Sequence, residues 1–149
     1  NPDKRKLALQ LGAAAVIDPA APGALEELKS ITHGGVDVAV EFAGAIAALE
    51  FSFAATRRGG TTVTAGLPHP DKRMSLSPVV LVGEERTLKG SYLGSCIPSR
   101  DIPAFIALYQ AGRLPVDALL SHTLTLEQIN DGFERLANGS AIRQVIVFN

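Results

Sequence analysis

The feature that most constrains the fold of this sequence is an alternation of helical stretches and short apolar runs along its first 64 residues. Helical patterns cover residues 2–11, 23–32 and 45–55, and strand-like runs follow each of them at residues 14–18, 36–42 and 61–64. Neighbouring parallel strands need a crossover between them, which is usually a helix. The alternation therefore predicts an α/β fold with a doubly wound parallel sheet.

Local signals support the helices and extend the pattern towards the end of the chain. Asn1, Pro2 and Asp3 have the residue types of an N-cap, a first-turn proline and a first-turn acid, and Gly12 ends the first helical pattern. The later predicted elements are a short helix over 78–84, a strand over 87–92, helices over 101–111 and 126–137, and a final strand over 143–148.

Composition excludes several classes of function. The net charge is −1, and basic and acidic residues are mixed, so the sequence has no basic face for nucleic acid and no polybasic segment for a membrane surface. No apolar run approaches the roughly 20 residues that span a bilayer. The single cysteine, Cys96, excludes an internal disulfide and fits a cytoplasmic location. A small molecule or another protein is the expected partner.

The loops that follow the strands are the candidate ligand site. In doubly wound sheets, ligands bind beyond the carboxyl ends of the strands. The loops after residues 42, 64 and 92 each carry a glycine, namely Gly44, Gly66 and Gly94. Glycine lets the backbone approach a flat ligand closely, although in any single loop it could simply turn the chain. The fold class alone does not select one function.

Together, the motifs of this chain resemble zinc-type medium-chain alcohol dehydrogenases over essentially its whole length. The order and spacing of the motifs carry the resemblance, since no single motif is diagnostic. They are Gly34-Gly35-Val36-Asp37, Glu41-Phe42-Ala43-Gly44, Arg58-Gly59-Gly60, Gly66-Leu67-Pro68, Leu88-Lys89-Gly90-Ser91, Ile129-Asn130-Asp131-Gly132-Phe133 and Ala141-Ile142-Arg143. The chain is similar to the C-terminal part of such an enzyme, without its catalytic domain and the first part of its Rossmann domain.

The resemblance implies that the loops bind a nicotinamide cofactor. Lys4 would lie beside the adenosine ribose, and Arg143 would meet the pyrophosphate, a role that suits a planar guanidinium. Phe42, Ala43 and Gly44 would line the cofactor cleft. Asn1, next to the expected position of a ribose-binding acid, is not basic, which favours NAD without excluding NADP.

The same resemblance implies which groups hold the nicotinamide ring. Gly66 and Leu67 would border the ring. Tyr92 would belong to the cofactor-binding residues, and Leu67 and Tyr92 suggest an apolar lining for the substrate. The backbone groups of Ala65, Ser91 and Leu93 would bind its carboxamide and orient the ring for hydride transfer from one face.

Two hallmarks of the family are absent from this sequence. The glycine-rich phosphate turn and the following ribose-binding acid would precede Asn1, as would the zinc ligands. Cys96 and the three histidines, His33, His69 and His122, have no close metal-binding spacing. We therefore expect neither a metal ligand nor a catalytic residue in this chain, and assign zinc to the remainder of the parent protein.

The family's topology implies further expectations. The two missing strands would lie between residues 14–18 and 36–42, so the first strand would lack its neighbour, and the chain alone should not bind NAD measurably. Residues 1–92 would complete the cofactor domain. Residues 93–149 would pack towards the catalytic domain, and the last strand would join that domain. The edge strand at 87–92 would pair two subunits into a homodimer.

The leading hypothesis is an oxidoreductase that transfers hydride between a primary or aromatic alcohol, or its aldehyde, and a nicotinamide cofactor, with assistance from zinc. A zinc-free medium-chain reductase such as a quinone reductase is one alternative. A noncatalytic α/β module that binds a partner through an exposed sheet edge is another. Half of a methyltransferase is a third, which the match over residues 87–148 disfavours.

Overall fold

A computed structural model describes residues 1–148 and divides the chain into two compact units. The sheet unit is Ala15–Cys96, and the terminal unit combines Asn1–Ala14 with the chain from Ile97 onward. In chain order, the helices and strands are α1 (Pro2–Gln10), α2 (Ala24–Ile31), β1 (Val36–Glu41), α3 (Ile46–Ala55), β2 (Thr56–Thr64), α4 (Pro78–Gly83), β3 (Thr87–Gly90), α5 (Pro98–Gln110), β4 (Leu120–Leu124), α6 (Ile129–Ala137) and β5 (Arg143–Ile146).

The sheet unit contains a three-stranded parallel sheet in the order β1-β2-β3. Val40 pairs with Val63 and Thr64 pairs with Gly90, so the carboxyl ends of all three strands lie at one edge. Helix α3 connects β1 to β2 and packs against both. The predicted α/β class with a partial doubly wound parallel sheet is confirmed.

The two faces of this sheet differ in burial. On one face, Thr62 and Glu41 are buried, and Phe53 and Ala55 of α3 contribute to the core. On the other face, Val38 is 57% exposed and Val40 is 48% exposed. Because alternate residues of a strand point to opposite faces, β1 has an apolar face that nothing in its own unit covers.

The strand predicted at residues 14–18 is wrong. These residues are neither helix nor strand, and within residues 1–148 no strand pairs with them. A β-strand needs a partner for its backbone hydrogen bonds, and an apolar sequence alone does not supply one. The strand predicted at residues 61–64 begins earlier, at Thr56, and its register with β1 shifts between Val36 and Val38.

The terminal unit begins with the predicted capped helix. The Asn1 side chain accepts hydrogen bonds from the backbone N–H groups of Asp3 and Lys4, at 2.9 and 3.3 Å. Strands β4 and β5 form a separate parallel pair, so the last strand does not join the three-stranded sheet. Strand β4 was not predicted. The Asp117 carboxylate accepts a hydrogen bond from the hydroxyl of Tyr109 in α5 and raises the pKa of that phenol.

The predicted division into residues 1–92 and 93–149 concerns the domains of a larger parent protein and stays a prediction. Asn149 itself lies outside the described residues. Among residues 1–148, no helix combines the length and the apolar character needed to cross a membrane.

Candidate functional site

The carboxyl edge of the three-stranded sheet carries a cleft of about 460 Å³. It forms where β2 and β3 end side by side, because parallel strands deliver their following loops to the same edge. Its lining residues are Thr64, Ala65, Gly66, Leu67, Gly90, Ser91 and Tyr92. The structure therefore brings together five of the predicted site residues, which are Ala65, Gly66, Leu67, Ser91 and Tyr92.

Two large apolar side chains that line this cleft are exposed to solvent. Leu67 is 78% exposed and Tyr92 is 70% exposed. Exposed apolar groups at a concave site are typical of surfaces that a ligand covers. Phe42, at the end of the neighbouring strand, is also exposed, at 74%, but neither it nor Ala43 lines the cleft.

Backbone hydrogen bonds determine what the cleft can offer a ligand. The N–H group of Ala65 donates to the Glu41 carbonyl at 2.8 Å, and the N–H group of Ser91 donates to the Thr64 carbonyl at 2.9 Å. Both backbone donors are used within the sheet, so the main chain of these two residues can offer a ligand only its carbonyl oxygens.

The backbone after Tyr92 has an uncommon conformation. Leu93 has φ 47° and ψ 37°, and the next two residues, Gly94 and Ser95, also have positive φ values of 67° and 56°. A left-handed conformation is rare for leucine, and such residues often occur at functional sites. It turns the chain sharply just beyond the cleft.

The Glu41 carboxyl group connects the loop after β1 to the end of β2, where the cleft lining begins. Glu41 is 4% exposed. Its Oε1 accepts a hydrogen bond from the Gly44 N–H at 2.6 Å, and its Oε2 accepts one from the Thr64 hydroxyl at 3.0 Å. A Cβ atom on Gly66 would lie 2.1 Å from the Gly44 nitrogen, so these two glycines bring the loops into direct backbone contact.

The remaining predicted site residues belong to the terminal unit. Lys4 lies in α1 and Arg143 begins β5, and both are exposed. Sequence reasoning missed Thr64, Gly90 and the buried role of Glu41. The available signal was position, since each is the last residue of its strand.

A family model described as zinc-binding dehydrogenase matches residues 1–111 of this chain. The chain belongs to the zinc-binding dehydrogenase family. "Putative alcohol dehydrogenase D" of Mycobacterium tuberculosis is 38% identical over 148 residues, which are 97% of this chain and 40% of that protein. Alcohol dehydrogenase 1 of Cenchrus americanus is 33% identical over 149 residues, which are 98% of this chain and 39% of that protein.

A solved dehydrogenase structure contains the fold of this whole zinc-binding dehydrogenase chain within part of its own length. The benzyl alcohol dehydrogenase of Acinetobacter calcoaceticus matches all of this chain and 41% of its own, with a TM-score of 0.93 and 28% identity. The chain therefore spans about 40% of the length of the relatives that it matches. The resemblance to the C-terminal part of a zinc-type medium-chain dehydrogenase is confirmed.

The metal in the family's name has no binding site among residues 1–148. No three His, Cys, Asp or Glu side chains of these residues come together in a way that could hold a metal ion. The donors of this zinc-binding dehydrogenase chain therefore do not fit a zinc site, and no chemical step is assigned to zinc here.

Proposed function

We propose that this chain is part of an oxidoreductase that transfers hydride between an alcohol or aldehyde and a nicotinamide cofactor. The observation that carries this proposal is the cleft at the carboxyl ends of β2 and β3. Ligands of doubly wound sheets bind at this edge. The alcohol dehydrogenase relatives support this activity over the quinone reductase, methyltransferase and interaction-module alternatives.

The polar groups of the cleft suit a carboxamide. A primary carboxamide presents two N–H donors and one carbonyl acceptor. The carbonyl groups of Ala65 and Ser91 are proposed to accept those two hydrogen bonds. The N–H group of Leu93, in the left-handed turn, is proposed to donate the third. This pattern would fix which face of the ring meets the substrate.

The apolar groups are assigned to the ring and the substrate. Leu67, Tyr92 and Gly66 are proposed to border the nicotinamide, with Leu67 and Tyr92 excluding water from the reacting side. The cofactor, when bound, would supply or accept the hydride. Phe42, Ala43 and Gly44 do not line this cleft, and they are proposed to contact the part of the cofactor that extends beyond it.

Further assignments complete the proposal for the whole protein. Lys4 is proposed to bind the adenosine ribose and Arg143 the pyrophosphate, with NAD preferred over NADP. Zinc is proposed to be held by residues outside this chain. The name of the Acinetobacter relative supports a primary or aromatic alcohol as substrate. A cytoplasmic homodimer, with the domain division at residues 92 and 93, is proposed on the family resemblance.

The proposal is tested with the full-length protein that contains this chain. We expect the protein to oxidise benzyl alcohol and reduce NAD to NADH, which is measured by the absorbance of NADH. A fluorescence titration should give a dissociation constant for NADH. Leu67→Ala should weaken NADH binding about tenfold, because the cofactor covers an exposed apolar side chain.

Val82→Ala is the matched control for this substitution. Val82 lies in α4 of the same unit, is 76% exposed and does not line the cleft, so NADH binding should not change. A full-length protein that binds neither NADH nor NADPH would refute the proposed function. Equal losses for Leu67→Ala and Val82→Ala would remove the cleft as the cofactor site.

A further inference from the structure

Glu41 is a buried acid at the end of β1, whose other acid, Asp37, is exposed. Glu41 is 4% exposed, and its two carboxyl oxygens each accept a hydrogen bond, from Gly44 and Thr64. Burying a carboxyl group costs free energy that an apolar residue at the same position would not incur. The two hydrogen bonds offset this desolvation cost. A position that served only to fill the core would avoid the cost by carrying an apolar residue.

The partners of the Glu41 carboxyl group belong to different segments of the chain. Gly44 lies in the loop between β1 and α3, whereas Thr64 ends β2 and begins the cleft lining. The Glu41 carbonyl also accepts hydrogen bonds from the N–H groups of Ala65 and Gly66, at 2.8 and 3.1 Å. Main chain and side chain of this one residue thus hold the whole segment 64–66.

The loops leave little room for adjustment. A Cβ atom on Gly44 would lie 2.9 Å from the Leu67 carbonyl oxygen, and one on Gly66 would lie 3.0 Å from the Glu41 Oε2. Each loop therefore packs backbone against backbone, and the carboxyl group sits at the junction. A shorter or longer side chain at position 41 would therefore shift one loop relative to the other.

We infer that Glu41 is a positioning residue, which sets the separation of the loops after β1 and β2 and so holds Ala65, Gly66 and Leu67 in place for the nicotinamide ring. This inference rests on the proposed function. It assigns Glu41 no contact with the cofactor or the substrate. Its effect is carried by Gly44 and Thr64.

Three substitutions of Glu41 separate geometry from charge. Glu41→Gln retains the length, since the amide oxygen can accept from Gly44 and the amide NH₂ can donate to the Thr64 hydroxyl. Glu41→Asp is one methylene shorter and cannot reach both partners. Glu41→Ala removes both hydrogen bonds. In the full-length protein, we expect Ala and Asp to raise the dissociation constant for NADH about tenfold and Gln to change it less than about twofold.

Two further variants serve as controls. Asp37→Ala removes the other acid of β1, which is exposed and pairs with Arg57, so NADH binding should be unchanged. Thr64→Val removes one partner of the carboxyl group at constant shape and should raise the dissociation constant about threefold. If Glu41→Ala does not fold, the Thr64→Val variant tests the inference in its place. Wild-type affinity for NADH in Thr64→Val would then overturn the inference.

Hydrogen–deuterium exchange of the cofactor-free protein gives a readout that needs no ligand. Peptides covering residues 42–45 and 64–67 should exchange faster in Glu41→Ala than in wild type, and Glu41→Gln should restore protection. Unchanged exchange at both loops, or unchanged NADH affinity in a folded Glu41→Ala protein, would overturn the inference. If wild type binds no nicotinamide nucleotide, the proposed function fails, and the exchange data alone decide whether Glu41 ties the loops together.

Discussion

At the scale of single residues, the core of the sheet unit contains a hydroxyl pair where apolar contacts would be expected. Thr56 and Thr62 are both 0% exposed, and their Oγ1 atoms are 2.7 Å apart. The Thr56 hydroxyl donates to the Ser52 carbonyl at 2.9 Å, so its proton is committed. The shared hydrogen must therefore come from Thr62. The chain of donation runs from Thr62 to Thr56 to the end of α3.

This direction predicts unequal losses of stability. Thr56→Val leaves a buried hydroxyl donor on Thr62 without its partner and removes a donor from the partly buried carbonyl of Ser52, and it should cost about 2 kcal/mol of unfolding free energy. Thr62→Val leaves the bond from Thr56 to Ser52 intact and should cost about 1 kcal/mol or less. Urea unfolding of the full-length protein measures both. A larger loss for Thr62→Val would reverse the assigned direction.

Residue-level prediction from sequence succeeded where topology alone decides the outcome. The loops after the strands were predicted to lie at one edge because parallel strands end together, and Gly66 and Ser91 do line one cleft there. Their role in cofactor binding stays a prediction. The role of Glu41 could not be predicted in this way. An acid at the end of a strand is equally compatible with a solvated position, and its burial depends on tertiary contacts such as the packing of Gly44 against Gly66.

At the scale of elements, the errors of the sequence analysis concern pairing. Residues 14–18 have the composition of a strand but no partner within residues 1–148, whereas β4 was missed although it pairs with β5. Helices were predicted more reliably, since their hydrogen bonds are local and caps such as Asn1 mark their ends. A strand depends on a partner that its own sequence does not specify.

Strand β3 leads to a prediction about assembly. It pairs only with β2 among the described strands. Ser91 donates its N–H to β2, so by alternation the N–H of Gly90 points to the open edge. A homodimer formed through this edge would use that group. Gly90→Pro should therefore convert the full-length dimer to monomer in analytical ultracentrifugation.

Gly90→Ala provides the control for the proline variant. A Cβ atom at Gly90 meets nothing within 4 Å, and alanine keeps the N–H group, so the dimer should persist. A wild-type protein that sediments only as a monomer would refute the proposed homodimer. A dimeric Gly90→Pro protein would place the interface elsewhere.

At the scale of the whole molecule, β1 exposes an apolar face and an open edge of the kind that is usually buried in a protein interior. Strand β1 is the other edge of the sheet among the described strands, and its Val38 and Val40 face is about half exposed. Strands of parallel sheets are normally buried on both faces. The relatives are about two and a half times as long as this chain, because it spans about 40% of each. The additional chain of such a protein could cover both the edge and the face.

This difference predicts that one pair of substitutions has opposite effects in two contexts. The 149-residue chain alone should bind hydrophobic dyes and aggregate, and it should not bind NAD at micromolar concentrations. Val38→Ser with Val40→Ser should reduce its aggregation, because serine removes exposed apolar surface. The same pair should destabilise the full-length protein by about 3 kcal/mol if both valines are buried there.

Light scattering of the 149-residue chain and urea unfolding of the full-length protein measure the two effects. Micromolar NAD binding by the short chain, or an unchanged full-length stability, would show that β1 needs no covering layer.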